Sequence, residues 1–265
     1  MTCPEPPVLS ERHGAVLRLT LNRPSARNAL SEALMAALQA RLDEAARDHA
    51  VRVIVLAAAG PAFCAGHDLK EMTAARTLAD HGREAFAGLF ARCSTLMQTI
   101  VRHPRPVIAE VQGIATAAGC QLVASCDLAV AAQTASFATP GVNIGLFCST
   151  PMVALSRNVA RKQAMEMLLT GDMVRADEAL RIGLVNRVVA PEDLERITMA
   201  LAQQIATKPH RTVKIGKDAF YRQLEMPLAE AYAYASEAMT ANMLDAEAVE
   251  GVGAFLGKRE PEWPK

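Results

Sequence analysis

The sequence lacks an excess of charge of either sign. Its 28 Lys and Arg residues balance 28 Asp and Glu residues, so the formal net charge is zero. A protein that binds nucleic acid without sequence preference usually carries a basic excess, so the sequence disfavours that class of function. Hydrophobic residues make up 51% of the 265 residues. This fraction predicts a sizeable core in one large α/β domain, with or without a short lobe, and excludes a disordered chain.

Paired cysteines, leader segments and long apolar runs are also missing. None of the six cysteines belongs to a Cys-x-x-Cys pair, so we expect reduced thiols and neither a disulfide framework nor a metal site. The opening residues, MTCPEPPVLSERHG, have no basic start followed by an apolar run and predict neither a secretory signal nor a transit peptide. No apolar stretch approaches the ~18 residues of a membrane-spanning helix. We therefore expect a cytoplasmic protein with neither nucleic-acid nor membrane partners.

Strand and helix patterns alternate along the first part of the chain. Residues 51–59 and 107–113 are apolar runs typical of strands covered on both faces. Ser31 is a good N-cap for a helix that ends near residue 48, and residues 74–103 have helical spacing throughout. Strand, helix and strand recur at intervals of roughly fifty residues, which predicts a parallel sheet with crossover helices. The fold class is therefore α/β.

Beyond residue 161 the pattern becomes mainly helical. Gly171 is placed to end one helix, and helical patterns follow at residues 192–207, 212–224 and 228–244. We place a domain boundary at residue 200, between an α/β body (1–200) and a helical lobe (201–265). The lobe is either an ordinary cap of the domain or an oligomerisation surface.

Two segments are unlike ordinary packing sequence. Residues 62–70 (AFCAGHDLK) and 113–122 (GIATAAGCQL) each follow a buried strand, which is where open α/β sheets tend to place ligands. Small residues allow a ligand to approach the backbone. A helix start presents free N–H groups that can bind an oxyanion, and two such donors from separate loops could polarise one carbonyl. The alternative is tight packing between strand and helix.

With further motifs, these segments resemble the crotonase superfamily, the enoyl-CoA hydratase/isomerase group, over nearly the whole chain. The likeness is carried by Asn22-Arg23-Pro24, Asn28-Ala29-Leu30, residues 63–69, 113–127, 137–140, 169–171, 179–189 and 255–259, and Pro261. Residues 115–125 and 136–151 are most similar to the branch called enoyl-CoA hydratase domain-containing protein three. The resemblance implies a spiral of ββα units and a C-terminal helical lobe that builds a homotrimer or a dimer of trimers.

The resemblance also implies a site for an acyl-CoA thioester, with coenzyme A as part of the substrate and no separate cofactor. The thioester oxygen would be held by the backbone N–H groups of His67 and Ala118. Lys258 would meet the CoA phosphates, with a neighbouring subunit as one source of that residue. The residues implied in CoA binding are Ala26, Ala65, His67, Asp68, Leu69, Lys70, Ala118 and Lys258.

The chain departs from the family pattern at both catalytic carboxylates. One carboxylate belongs at the position of Gln121, whose amide cannot exchange a proton near neutral pH. The other belongs at Gly141, which has no side chain. General acid–base catalysis contributes ~10²–10⁴-fold per group, so ordinary hydratase activity is not expected.

Three functions remain open. The chain is nominally a hydratase or isomerase with a changed mechanism; the alternatives are a non-catalytic acyl-CoA binding protein and a decarboxylase of malonyl- or methylmalonyl-type thioesters that uses the oxyanion hole alone. The Ala65-Gly66-His67-Asp68 sequence resembles the decarboxylase branch, which has Tyr where this chain has Cys148. Cys148 is either a functional thiol or an ordinary core residue.

Overall fold

The structure is built around two β-sheets. It is a computed structural model and describes residues 5–264. The strands are β1 (Val8–His13), β2 (Val16–Leu21), β3 (Val53–Ala58), β4 (Ala62–Cys64), β5 (Val107–Val111), β6 (Ile114–Thr116), β7 (Leu128–Ala132), β8 (Ser136–Ala138), β9 (Val174–Arg175) and β10 (Arg187–Val189). The larger sheet has the order β1-β2-β3-β5-β7-β10, and the smaller has the order β4-β6-β8-β9. The pairs β1–β2 and β8–β9 are antiparallel, and the other neighbouring strands pair in parallel.

Helices surround and extend these sheets. They are α1 (Glu32–Arg47), α2 (Leu69–Ala75), α3 (Arg83–Val101), α4 (Ala118–Ser125), α5 (Pro151–Asn158), α6 (Arg161–Thr170), α7 (Ala176–Arg181), α8 (Leu194–Ala206), α9 (His210–Gln223), α10 (Leu228–Met243) and α11 (Ala246–Leu256). Within residues 5–264, no helix combines the length and the hydropathy that crossing a membrane requires.

Successive strand pairs divide between the two sheets. From each of the pairs β3–β4, β5–β6 and β7–β8, the first strand joins the larger sheet and the second joins the smaller one. The first two pairs each lead into a helix. This repetition confirms the predicted α/β spiral of ββα units. Because parallel strands end at the same edge, the chain segments after β4 and β6 are brought together.

Local sequence explains several element boundaries. The Ser31 hydroxyl accepts the Leu34 N–H at 3.2 Å and starts α1, and Gly171 ends α6 in the left-handed region. Within the predicted helical region 74–103, the structure has the last two residues of α2, then turns at residues 76–82, and then α3. The antiparallel strand β1 and the terminal helix α11 were not predicted.

The predicted domain boundary at residue 200 lies inside α8. This helix covers one face of the larger sheet, where Leu194, Leu201 and Ala202 pack against Val53 and Ile108. The other face carries the main core, to which α1 and α3 contribute buried Leu, Met and Cys side chains. The division into domains at 200 stays a prediction.

A buried ion pair attaches α9 to the sheets. The Lys217 ammonium donates to Asp127 Oδ2 at 2.6 Å and to the carbonyl oxygens of Ile100 and Arg105 at 3.1 Å each. The Tyr221 hydroxyl donates to the other Asp127 oxygen at 2.9 Å. Burial lowers the pKa of Lys217, although Asp127 opposes that shift. The C-terminal helices are therefore anchored to the body by a satisfied polar cluster.

Candidate functional site

The two small-residue segments meet at one place in the fold. A Cβ atom on Gly119, near the start of α4, would overlap the Cys64 carbonyl oxygen at the end of β4. A Cβ atom on Gly66 would lie 3.5 Å from the backbone nitrogen of Ala118. The segment after β4 and the start of α4 therefore touch backbone to backbone. Larger side chains at these glycines would separate them.

Both candidate oxyanion donors lie in this contact and are free of backbone acceptors. Ala118 is the first residue of α4, so its N–H has no partner within the helix. Next to His67, the Gly66 carbonyl accepts the Leu30 N–H at 2.7 Å, and the Asp68 N–H donates to the Leu30 carbonyl at 3.3 Å. Within residues 5–264, the His67 and Ala118 N–H groups make no hydrogen bond.

An unusual backbone conformation places the start of α4. Ala117 has φ 51° and ψ −118°, a strained combination for a residue with a side chain. Its N–H donates to the Ala138 carbonyl at 2.9 Å, which ties the start of α4 to the end of β8. This hydrogen bond therefore holds the residue before Ala118 against the end of β8.

The loop from Arg23 to Leu30 supports the His67 segment. The Ala65 N–H donates to the Arg27 carbonyl at 3.0 Å, one residue beyond Ala26. Arg23 pairs with Asp68 at 3.2 Å, and Asp68 also caps α2 by accepting the Lys70 N–H at 3.1 Å. Burial alone would raise the pKa of Asp68, but Arg23 and the Lys70 N–H hold it below its ordinary value. Asp68 is thus a structural ion-pair partner here.

The other predicted CoA-binding residues are exposed and lie in two separate parts of the structure. Leu69 and Lys70 are exposed on the first turn of α2, directly after Asp68. Lys258 is exposed beyond the end of α11 and has a left-handed backbone conformation. Within residues 5–264, no hydrogen bond or ion pair links the Lys258 side chain to the His67 or Ala118 segments. Its predicted role stays a prediction.

The position of the second expected carboxylate is filled by the protein itself. A Cβ atom on Gly141 would overlap the Leu146 carbonyl oxygen and lie 2.9 Å from Cys148 Sγ. The Leu146 N–H in turn donates to the Gly141 carbonyl at 2.9 Å and closes the loop. Burial raises the pKa of the Cys148 thiol, although the Gly141 N–H opposes that shift. Cys148 is therefore a neutral thiol near neutral pH rather than an activated nucleophile.

Two further cysteines, Cys64 and Cys120, belong to the segments that form the site. Cys64 and Cys120 are buried, and burial raises the pKa of each thiol to about 12. Cys3 lies outside the described residues. Within residues 5–264, no group of three or more His, Cys, Asp or Glu side chains is arranged to hold a metal ion.

Several polar side chains at the site lack partners. Eight buried side-chain nitrogen or oxygen atoms in residues 5–264 make no hydrogen bond, and four of them belong to His67, Gln121 and Thr139. Burial lowers the pKa of His67, so its ring is neutral near pH 7. The ring packs edge-on against Phe90. Thr139 belongs to the motif at residues 137–140 that carries the family resemblance, but the sequence assigned no role to its hydroxyl, which directly follows the buried strand β8.

Comparison with known proteins identifies the family. The family model for enoyl-CoA hydratase/isomerase matches residues 11–265. Mouse enoyl-CoA hydratase domain-containing protein 3 is 48% identical over 98% of this chain and 85% of its own length. The chain belongs to the enoyl-CoA hydratase/isomerase family, and the resemblance to that branch is confirmed.

Solved structures agree with this assignment. An enoyl-CoA hydratase from Mycobacterium smegmatis is 57% identical, has a TM-score of 0.93, and is matched over 98% of this chain and 99% of its own. Human enoyl Coenzyme A hydratase domain-containing protein 3 is 46% identical, with a TM-score of 0.92 over 97% of this chain and 100% of its own.

The predicted cytoplasmic location is contradicted by the relatives. The mouse and human relatives in the domain-containing protein 3 branch are mitochondrial by name. The prediction rested on neutral net charge, unpaired cysteines and the opening residues. Net charge and unpaired cysteines do not distinguish one reducing compartment from another.

Proposed function

We propose that the chain binds acyl-CoA thioesters and holds the thioester oxygen between the N–H groups of His67 and Ala118. The observation that carries this proposal is the contact between the two segments, because each brings an N–H that has no acceptor in residues 5–264. Two backbone donors aimed at one oxygen would stabilise the negative charge of an enolate. The segment from Ala65 to Lys70 would hold the CoA portion, together with Ala26 in the supporting loop from Arg23 to Leu30.

Ordinary hydration of an enoyl thioester does not fit the rest of the site. Gln121 supplies an amide at the position where the family resemblance places a carboxylate, and the Gly141 position has no room for one. Without an acid and a base, water is neither activated nor delivered to the double bond. We therefore favour binding without hydration.

A malonyl- or methylmalonyl-type decarboxylase is the second candidate. In that reaction the bond to the carboxylate carbon breaks, CO₂ leaves, and the electron pair moves onto the thioester oxygen as an enolate. The enolate then takes a proton from water. The reaction needs no base from the protein, and Gln121 and Cys148, both neutral, would not repel the carboxylate of the substrate.

Exposed apolar side chains on the C-terminal helices support self-association. Large hydrophobic residues on α9–α11 are more than half exposed in the single chain, namely Phe220, Leu224, Leu228, Tyr232, Met239, Met243, Leu244, Val249, Phe255 and Leu256. Exposed apolar surface of this extent is typical of an interface. We propose a homotrimer or a dimer of trimers, with Lys258 reaching the CoA phosphates of a neighbouring subunit.

Crotonyl-CoA tests the binding proposal directly. We expect calorimetry to show binding, while the enoyl-thioester absorbance stays constant at enzyme concentrations that suffice for ordinary hydratases. Gln121→Glu should raise hydration by roughly 10²-fold because one carboxylate is returned to the site. Gln121→Leu, the matched control, should not raise it. Rapid hydration by the natural sequence would contradict the proposal, and CO₂ release from malonyl-CoA would favour the second candidate.

A further inference from the structure

Arg105 is a buried cation without a carboxylate partner. Its exposed fraction is 2%, and no carboxylate in residues 5–264 forms an ion pair with its guanidinium. Nη2 donates instead to the Asp48 carbonyl oxygen at 3.3 Å, since the Asp48 carboxylate pairs with Arg12. Nη1 contacts both ring nitrogens of His210, with Nδ1 at 3.2 Å. A guanidinium has only donors, so the His210 ring is one of the few acceptors available to this buried charge.

The contact with Arg105 requires a neutral His210 ring. A neutral imidazole has one nitrogen that accepts a hydrogen bond, whereas both nitrogens of an imidazolium donate. A proton on His210 would therefore remove the acceptor and place two cations against each other. His210 is also the first residue of α9, where the positive end of the helix dipole disfavours a further positive charge. The hold of Arg105 on the start of α9 thus depends on the protonation state of His210.

A second histidine holds the Arg105 backbone. His103 Nδ1 accepts the Arg105 N–H at 3.0 Å, and Nε2 donates to the Leu42 carbonyl oxygen at 3.0 Å, which is the arrangement of a neutral ring. The Arg105 carbonyl oxygen accepts from the Lys217 ammonium at 3.1 Å. Arg105 therefore connects α1 to α9. His103 is 3% exposed, whereas His210 is half-buried, so His210 is the ring that protons from solvent reach first.

The ionisable groups that act on His210 are mostly of one sign. Three of them are cations or become cations when protonated, namely Arg105 before β5, Arg52 before β3 and His49 after α1. The fourth is Glu247 of α11, whose carboxylate already accepts two backbone N–H groups at the start of α9. Burial of the ring and then Arg105 lower the pKa of His210 below its ordinary value of 6.5, although Glu247 opposes that shift.

We propose that His210 is a pH-sensitive latch between α9 and the body, closed while its ring is neutral and opened when the ring takes a proton. Repulsion from Arg105 and Arg52 then frees the first turns of α9, while Lys217 still anchors the middle of the helix. Because the pKa of His210 is lower in the folded protein than in the unfolded chain, the folded state binds fewer protons, and stability is lost as the pH falls below 6.5. Acid therefore loosens the C-terminal helices, independently of any acyl-CoA.

Hydrogen exchange of the α9 amides at about pH 7 and about pH 5 tests the latch. After correction for intrinsic exchange rates, protection in the first half of α9 should fall about fivefold or more in the natural protein, while protection in α5 stays nearly constant. His210→Gln keeps a neutral acceptor and should lose most of this pH dependence. His210→Lys carries a permanent charge and should show low protection at both pH values. His13→Gln, which changes an exposed histidine in β1, should behave like the natural protein.

Ring-proton NMR of the natural protein keeps the test independent of how well the variants fold. The His210 ring should take its proton below pH 6.5, over the same range in which α9 loses protection. A His210 ring that titrates at or above its ordinary pKa would overturn the inference. So would acid loosening of α9 that persists in His210→Gln, or full protection of α9 in His210→Lys. None of these results bears on acyl-CoA binding, so the proposed function is tested separately.

Discussion

Replacement of Gly119 by alanine is expected to lower the free energy of unfolding by about 3 kcal/mol or more and to abolish acyl-CoA binding. The added Cβ atom would overlap the Cys64 carbonyl oxygen and lie 2.8 Å from the carbonyl carbon. Backbone atoms cannot rotate away as a flexible side chain can. The start of α4 would therefore move away from β4, and the N–H groups of Ala118 and His67 would separate.

Urea unfolding and butyryl-CoA calorimetry measure the two effects of Gly119→Ala. Gly216→Ala is the matched control because Gly216 lies inside α9 and a Cβ atom there meets nothing within 4 Å. That variant should gain about 0.5–1 kcal/mol, since alanine is the better helix former. A Gly119→Ala protein with natural stability and natural affinity would show that the two segments are not in contact.

Replacement of Lys217 by methionine is expected to destabilise the protein by about 3–5 kcal/mol. The change leaves the Asp127 carboxylate buried without its cation, and it removes the donor to the Ile100 and Arg105 carbonyl oxygens. The Lys217 side chain is 8% exposed and that of Asp127 is 15% exposed, so water can compensate for little of the loss. The protein should lose stability because α9 is then no longer held to the body by these contacts.

Lys214→Met provides the control for Lys217→Met. Lys214 lies on the same helix but is exposed, and an exposed substitution of this kind changes stability by about 0.5 kcal/mol or less. Urea unfolding of the two variants gives the comparison. Equal stability of the two would mean that the Lys217–Asp127 pair does not anchor the helix.

The hydrophobic pattern was sufficient to predict most of the body. The strand β5 is buried throughout and β3 is buried from Val53 to Ala57, and an uninterrupted apolar run predicts this directly. The N-cap of α1 at Ser31 could also be predicted, because the Ser31 hydroxyl and the first turn of the helix are adjacent in sequence. Local signals of this kind depend on neighbouring residues alone.

Elements that depend on distant residues were missed. The strand β1 is mostly exposed and is defined by its pairing with β2. The helix α11 is held in part by Glu247, whose carboxylate accepts the N–H groups of Arg211 and Thr212 at the start of α9. Neither interaction leaves a pattern within the segment itself. The same applies to the break between α2 and α3.

The candidate site could be predicted only in part, because some of its features depend on contacts between residues distant in sequence. Gln121 and Gly141 could be recognised as departures from a family pattern, since only their identity was needed. The sequence could not show that the Leu146 carbonyl and Cys148 close the space beside Gly141, because that is a property of the folded loop. The Thr139 hydroxyl makes no hydrogen bond within residues 5–264, and this too is a property of the folded chain that the sequence could not show.

Calorimetric comparison of butyryl-CoA with S-butyl-CoA, the thioether that lacks the carbonyl oxygen, tests the central claim most directly. The two ligands share the CoA portion and the alkyl chain, so their difference isolates the oxygen held by His67 and Ala118. Two hydrogen bonds of about 1 kcal/mol each predict that the thioester binds roughly 10–30-fold more tightly. Equal affinities would contradict the account, because the two N–H groups would then not hold the thioester oxygen.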